Sequence, residues 1–419
     1  MPELWELFRA LPDPRDPDAC TYTMGQLLGL VILMFCCRTS SRRAWDRMTD
    51  DAVLRENWCT WTGVRTDTAA VYGTVRHVLT QIEPQAFGGL QVQIVRGLLR
   101  RKQLPGAHLF GRLLVAGDGT GIYAQTGRDE SHCPHCLEQH HGNGAVTYMH
   151  HMLDARVVSS FGMAIPLMSE PIENPPGRRY EKQDCELKAF FRLLERVKTE
   201  LPRQPIVWLL DSLYACENVL RRCSRPPWDF VCVFKRGSIP TLYDEAYELL
   251  KFHPENRLVM TTKHPDTTCT YRWLNGLEYK GLHLNWVEMI EVDEDGTDHT
   301  WVWLTSLGVD RDTVIEIAQA GRMRWKIENE GNNEQKTGYG IEHFCDCSNY
   351  NEMMALYFLL QIAMTLMWLL ARSNLLDEAP VLTHLAFLLL ESLRNSLIDH
   401  EQCDPRKHPY QLRFVRGSP

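Results

Sequence analysis

Positive charge is what this 419-residue chain is shortest of: 45 lysines and arginines stand against 53 aspartates and glutamates, a formal balance of −8. A basic field over the whole surface is therefore excluded, and any contact with a polyanion has to rest on local stripes. Long apolar runs are missing too. The stretches Leu27–Cys37 and Tyr357–Leu370 fall short of the roughly 20 residues that a bilayer crossing demands. Both read as buried helices, and no membrane partner is expected. The opening MPELWELFRALPDPRD has no basic segment ahead of an apolar one, which argues against a secretory leader. Internal repeats and low-complexity tracts are absent as well. What remains is an ordinary globular composition, 44% apolar and 23% charged, long enough for two or three domains. Fourteen cysteines without a leader imply thiols or metal ligands in a reducing, cytoplasmic setting rather than a disulfide frame.

The hydrophobic spacing divides the chain into five parts. Residues 1–108 read as helical, with Thr23–Phe35, Asp67–Ile82 and Gln85–Lys102 as the clearest helices, and Pro105-Gly106 breaks the pattern. Residues 109–236 change to strands and then to helix–strand alternation: Arg112–Gly117, a hairpin within Tyr148–Leu167, a helix over Glu181–Glu200, a strand at Pro205–Leu210, a helix at Glu217–Arg222 and a strand at Phe230–Phe234. Residues 237–312 read as an inserted β-rich subdomain, with Tyr271–Trp273, Leu282–Glu291 and Trp301–Thr305 as strands. Residues 313–372 return to helix, over Val314–Lys336 and Met353–Leu370. Residues 373–419 form a tail with one more helix, Leu382–Leu393. The fold class expected is α/β, a mixed sheet with helices packed on it.

Three acids stand where these elements can deliver them to one point. Asp118 ends the apolar run RLLVAGD, Asp211 ends PIVWLLD, and Glu328 lies in GRMRWKIENEGNNEQK. Each has a plainer reading: an Asp before Gly-Thr-Gly is often a turn residue, an Asp before Ser-Leu a helix cap, and the Glu328 segment a solvated helix laced with ion pairs. Their joint pattern is what points to chemistry. Asp and Glu are the natural hard-oxygen ligands for a pair of Mg²⁺ (or Mn²⁺) ions, and such a pair suits transfer at phosphodiester bonds. Arg324 and Glu328 share a helix face, and Lys336, eight beyond Glu328, lies about 80° round an ideal α-helix.

These residues carry a resemblance. Arg324-x3-Glu328, with DPR at 13–15, GDGTG at 117–121, SEPIEN at 169–174, KQDCE at 182–186 and DSLYACENV at 211–219, resembles the DDE transposases of bacterial insertion sequences. The closest likeness is to the group with a β-rich insertion and a Tyr-x2-Arg-x3-Glu-x6-Lys signature. The resemblance spans about residues 10 to 370. It departs from the signature at Gly321, where Tyr is expected, and at Gln335, where Lys is expected, with Lys336 one residue late. Asn332 stands where an aromatic residue is expected. The resemblance implies an RNase H-like core in which Asp118, Asp211 and Glu328 bind two Mg²⁺ ions, cut double-stranded DNA at terminal inverted repeats and join the ends to target DNA. It also implies a homodimer or higher oligomer on DNA, in the bacterial cytoplasm with the nucleoid. A nuclease without strand transfer and an inactive, domesticated DNA-binding protein are the alternatives.

Two further sets complete the expectations. Cys133-x2-Cys136 has knuckle spacing, and with His140, His141, His150 and His151 nearby, and Cys345 and Cys347 after the third acid, it suggests structural Zn²⁺. The cations expected on DNA are Arg322, Arg324, Lys326, Lys336, Lys235 and Arg236. The helical N-terminal part, with Arg42-Arg43 and Arg96–Lys102, is the candidate for recognising DNA ends and for dimerisation. Gln183, Asp184 and Glu186 are candidates to support the metals or touch DNA, the plainer reading being acids at a helix N-terminus.

Overall fold

A computed structural model gives the architecture, describing residues 2–39, 41–127, 133–177, 182–263, 266–345, 348–376, 380–399 and 413–414. Six helices come first: α1 (Pro2–Arg9), α2 (Met24–Cys36), α3 (Arg42–Met48), α4 (Ala52–Thr62), α5 (Tyr72–Leu79) and α6 (Pro84–Arg100). Five strands follow, β1 (His108–Leu109), β2 (Arg112–Gly127), β3 (Leu137–His140), β4 (Val146–Ser159) and β5 (Met163–Ile172). Next come α7 (Glu186–Glu200), β6 (Ile206–Leu210), α8 (Glu217–Cys223), β7 (Trp228–Val233) and α9 (Pro240–Leu250). Four more strands, β8 (Arg257–Lys263), β9 (Asp266–Tyr279), β10 (Leu282–Val292) and β11 (Asp298–Thr305), lead into α10 (Val314–Met323). A π-wound helix (Ile327–Gly338), α11 (Ile341–Phe344), α12 (Tyr350–Ala371) and α13 (Leu382–Asn395) complete the described chain.

The strands join into one mixed sheet, ordered β3-β4-β2-β6-β7-β11-β10-β9-β8, with β5 on the outer side of β4 and β1 beside β2. β5, β4 and β2 are antiparallel neighbours, whereas β2, β6 and β7 run parallel. β6 is a continuous apolar run, and β7 is apolar from Phe230 on, because helices cover both faces of the sheet there. The expected β-rich insertion is not a sheet apart: Leu304 of β11 pairs with Cys232 of β7, so its four strands lengthen the central sheet. The region also contains α9 and β8, where no element was expected.

Residues 1–108 are helical as expected, but no gap in the packing separates them from the rest. One hydrophobic core runs from Leu4 through α2, α6 and β5 to Leu385. Its axis is α12, which starts three residues before the expected helix Met353–Leu370. Among the described residues α12 is the only helix long and apolar enough to cross a membrane, and nearly all of it is buried inside the protein. Thr23 and Gln26 form a capping box that starts α2, every residue of which is buried.

The stretch expected as one helix, Val314–Lys336, is instead an α-helix followed by twelve residues of π-helix. Gly331, Asn332 and Asn333 have low α propensity, so widening the winding costs little there. The widening is held by a buried polar cluster beneath it. Arg156 of β4, fully buried, donates from Nη2 to Asp154 (2.7 Å), Gln335 (3.0 Å) and Gln361 (2.8 Å). Gly331 rides directly on this guanidinium: a Cβ there would meet Arg156 Cδ and Nε at 2.9 Å. Because Arg156 is pinned on three sides, Gly331→Ala is expected to destabilise the protein by about 1–3 kcal/mol in urea unfolding. An unchanged midpoint would mean that the helix is free to shift.

Candidate active site

The sheet register alone brings the two aspartates together. On β2, Leu114 and Ala116 face the same core as Val207 and Leu209 of β6 and as Val314, Ile317 and Ala318 of α10. Side chains alternate along a strand, so Asp118, two past Ala116, points to that α10-covered face. Ala116 is level with Leu209 in the parallel register. Asp211, two past Leu209 and still extended (φ −84°, ψ 179°), therefore stands opposite Asp118 at about one inter-strand spacing, roughly 5 Å between backbones. The helix that continues from α10 along the same face supplies Glu328. Its charge, with those of Glu186 and Asp211, acts on Asp118.

The electrostatics of the cluster follow from burial and like charge. Asp118 is pushed up to about 7, first by burial, against the pull of Arg324 and with the repulsion of Glu186, Glu328 and Asp211. Glu186, at the start of α7, is also raised, chiefly by burial and then by Asp211, while Tyr214 hydroxyl donation at 2.6 Å and the Gly119 backbone N–H favour its charged form. Gly119 is obligatory for this fourth acid: a Cβ there would lie 2.5 Å from Glu186 Oε2. Arg324 Nη2 donates to Glu328 Oε1 at 2.7 Å, and Asn332 Nδ2 donates to Asp118 Oδ2 at 2.9 Å. The plainer roles coexist with these: Asp211 Oδ1 caps the turn Ser212–Tyr214 by accepting from Leu213 N at 2.8 Å.

Several buried polar atoms here have no hydrogen-bond partner: Arg324 Nε and Nη1, and Asn332 Oδ1. Asp118, Asp211 and Glu328 offer oxygen and no sulfur, the donor type of a hard divalent ion, and act on one another through charge, while Glu186 reaches Asp118 from the α7 side of the sheet. Trp325, half exposed, lies beside the site with the Arg324 guanidinium 4.9 Å from its ring centre.

The departures from the transposase signature have local physical causes. Gly321 lies against Trp303, whose indole would sit 2.5 Å from any Cβ, so no larger residue fits there without moving that ring. Gln335 is fully buried because it accepts from Arg156. The widened winding adds a residue to each turn, carrying Lys336 rather than residue 335 outward. Lys336 comes near His151, whose pKa it lowers together with the larger effect of burial, and pairs with Glu342 at 3.3 Å. The 80° offset expected from α geometry therefore does not apply.

The remaining candidates separate. Arg322 is paired with Glu291 (2.9 Å), Lys326 with Glu330 (3.1 Å) and Arg236 with Asp244 (3.0 Å), all away from the acids' own contacts, while Lys235 is exposed beyond β7. Cys133 and Cys136 come together with His150, but among the described residues the other zinc candidates do not join them. His140 contacts Glu138 (3.2 Å), His141 contacts Thr147 (2.7 Å), and buried Cys345 donates to the Met353 carbonyl (3.9 Å). β-Strand alternation turns His140 and His141 away, and Cys345 packs against α12 instead. Cys347, His132 and the basic pair Arg178-Arg179 lie outside the described residues. Trp58, Trp286 and Trp303 are buried in the core, Trp61 and Trp301 are half-buried, and Trp325 is exposed. Compared with known proteins, the chain matches no family model and no curated sequence.

Proposed function

We propose that this chain is a DDE-type DNA transposase, cutting double-stranded DNA at the terminal inverted repeats of an insertion sequence and joining the ends to target DNA. The observation that carries the reading is the meeting of Asp118, Asp211 and Glu328 on one face, from adjacent parallel strand ends and a helix laid across them. Three antiparallel strands continued by two parallel ones, with acids on the first and fourth in chain order, support an RNase H-like core. Two Mg²⁺ (or Mn²⁺) ions held by these acids would supply a deprotonated nucleophile and charge stabilisation at the phosphate. The chain's own residues do the positioning. Arg324 holds Glu328 and keeps two N–H groups for a phosphate oxygen, while Asn332 orients Asp118. Lys336 adds a cation on the rim, and Trp325 offers a face for an unpaired base. With a net charge of −8, DNA is gripped locally rather than drawn to the whole surface. Joining two ends requires two copies on one DNA, in the bacterial cytoplasm.

The test uses labelled duplexes carrying the inverted repeats that flank the gene, incubated with the full chain and Mg²⁺. Joined products are the expected result. Nicked ends without joining would reduce the function to a nuclease, and a bound but intact duplex would leave a DNA-binding protein.

A further inference from the structure

Away from the carboxylates, the connection between β2 and β4 brings three soft ligands together. Cys133 and Cys136 close a tight turn, the Cys136 N–H donating to the Cys133 carbonyl at 3.1 Å. His150 of β4 places Nε2 3.3 Å from Cys136 Sγ, and all three ligand atoms lie within 4.8 Å of one another. Around a tetrahedral zinc, with bonds of about 2.3 Å to sulfur and 2.0 Å to nitrogen, neighbouring ligand atoms are roughly 3.5–3.8 Å apart. The side chains thus already stand within about an ångström of ligand positions.

We infer that Cys133, Cys136 and His150 hold one Zn²⁺ ion as a structural site. Two sulfurs and an imidazole select zinc over the hard ions suited to the carboxylate cluster. The ligands are 8%, 3% and 2% exposed, which closes the site to substrate and assigns it to architecture rather than catalysis. Among the described residues these three are the ligands that come together.

The consequence reaches the acids through named bonds. Asn174 donates from its backbone to the His135 carbonyl (3.2 Å) and from Nδ2 to the Cys136 carbonyl (2.9 Å) and to Gln183 Oε1 (3.0 Å). Gln183 in turn exchanges two bonds of 2.7 Å with the backbone of Glu138. His135, inside the knuckle, stacks on Tyr350 of α12 at 3.9 Å between ring centres. Zinc would therefore lock the far arm of β2 to β4, to α12 and to the segment that leads into Glu186.

The experiment is elemental analysis of the full-length, untagged protein, which needs no DNA and is independent of the transposase reading. About one zinc per chain is expected in the wild type, in Cys345→Ser and in Asp118→Asn, and near none in the Cys133→Ser/Cys136→Ser double variant. Because that variant can lose its fold, a second measurement uses the wild type: cobalt exchanged for zinc should give a thiolate-to-cobalt charge-transfer band. Stripping the metal should lower the melting temperature by at least about 3 °C, restored by Zn²⁺ and not by Mg²⁺. Less than about half an equivalent of zinc, metal retained by the double variant, or a Cys133–Cys136 disulfide in freshly prepared protein would overturn the site.

Discussion

Replacing Asp211 with alanine is expected to abolish Mg²⁺-dependent cutting, with a loss of at least about 10³-fold, while binding to the same duplex persists. Asp118→Ala and Glu328→Ala should behave alike, and the three losses should not add, because the acids serve one cation site. Asp211 is the sharpest probe. Its structural duty is a single cap bond to Leu213 N, worth about 1 kcal/mol, too little to unfold the protein. A thermal melt close to wild type therefore has to accompany the loss. Cleavage by Asp211→Ala within about tenfold of wild type would remove the residue from the chemistry and the two-strand register from the explanation.

The second large effect is a coupling between pH, divalent ions and stability. Asp118 has an ordinary value of 3.8 and stands at about 7 in the folded protein. Between those values the folded state binds a proton that the unfolded state has released, so stability falls as pH rises across the window. The contribution of neutral Asp118 is complete below pH 4 and lost once the pH passes through 7. Above that, the buried carboxylate is a standing cost unless a cation neutralises it. Mn²⁺ or Mg²⁺ should thus raise the melting temperature clearly at pH 8 and little at pH 5.5, where the proton competes for the same oxygens. Asp118→Asn keeps the shape and removes the charge. Without metal at pH 8 it should be more stable than wild type by about 1–2 kcal/mol and should no longer respond to the ion. Equal metal shifts at both pH values, or a metal response surviving in Asp118→Asn, would contradict the assignment.

Both effects depend on residues that were visible in the sequence, and on partners that were not. Asp118 and Asp211 stood out because an acid at the end of an apolar run is expensive unless the strand ends there at solvent or at a cation. Glu328 stood out through the arginine four residues before it. Asn332 was noticed only as a misfit to the signature, yet it is the residue that grips Asp118. Glu186 was weighed against an ordinary helix-start acid, and only the absence of a side chain at Gly119 shows why it reaches the cluster. His150 sat in view beside His140 and His141, and strand alternation chose among them.

The lower-level pattern was readable because it is local. Periodicity of two or 3.6 places apolar residues on one face whatever lies opposite, so the helical first hundred residues, the β4–β5 hairpin and the β6 and β7 runs follow from spacing alone. What spacing cannot contain is which strand lies beside which. The joining of β11 to β7, the packing of the N-terminal helices around α12, and the π winding over Arg156 are each decided by residues 70 or more positions apart in the chain. Sequence by itself determined the inventory, namely the acids, their elements and the alternation that aims them. Tertiary structure alone decided the meeting of Asp118, Asp211 and Glu328, because charge acts through a few ångströms of space and takes no account of distance along the chain.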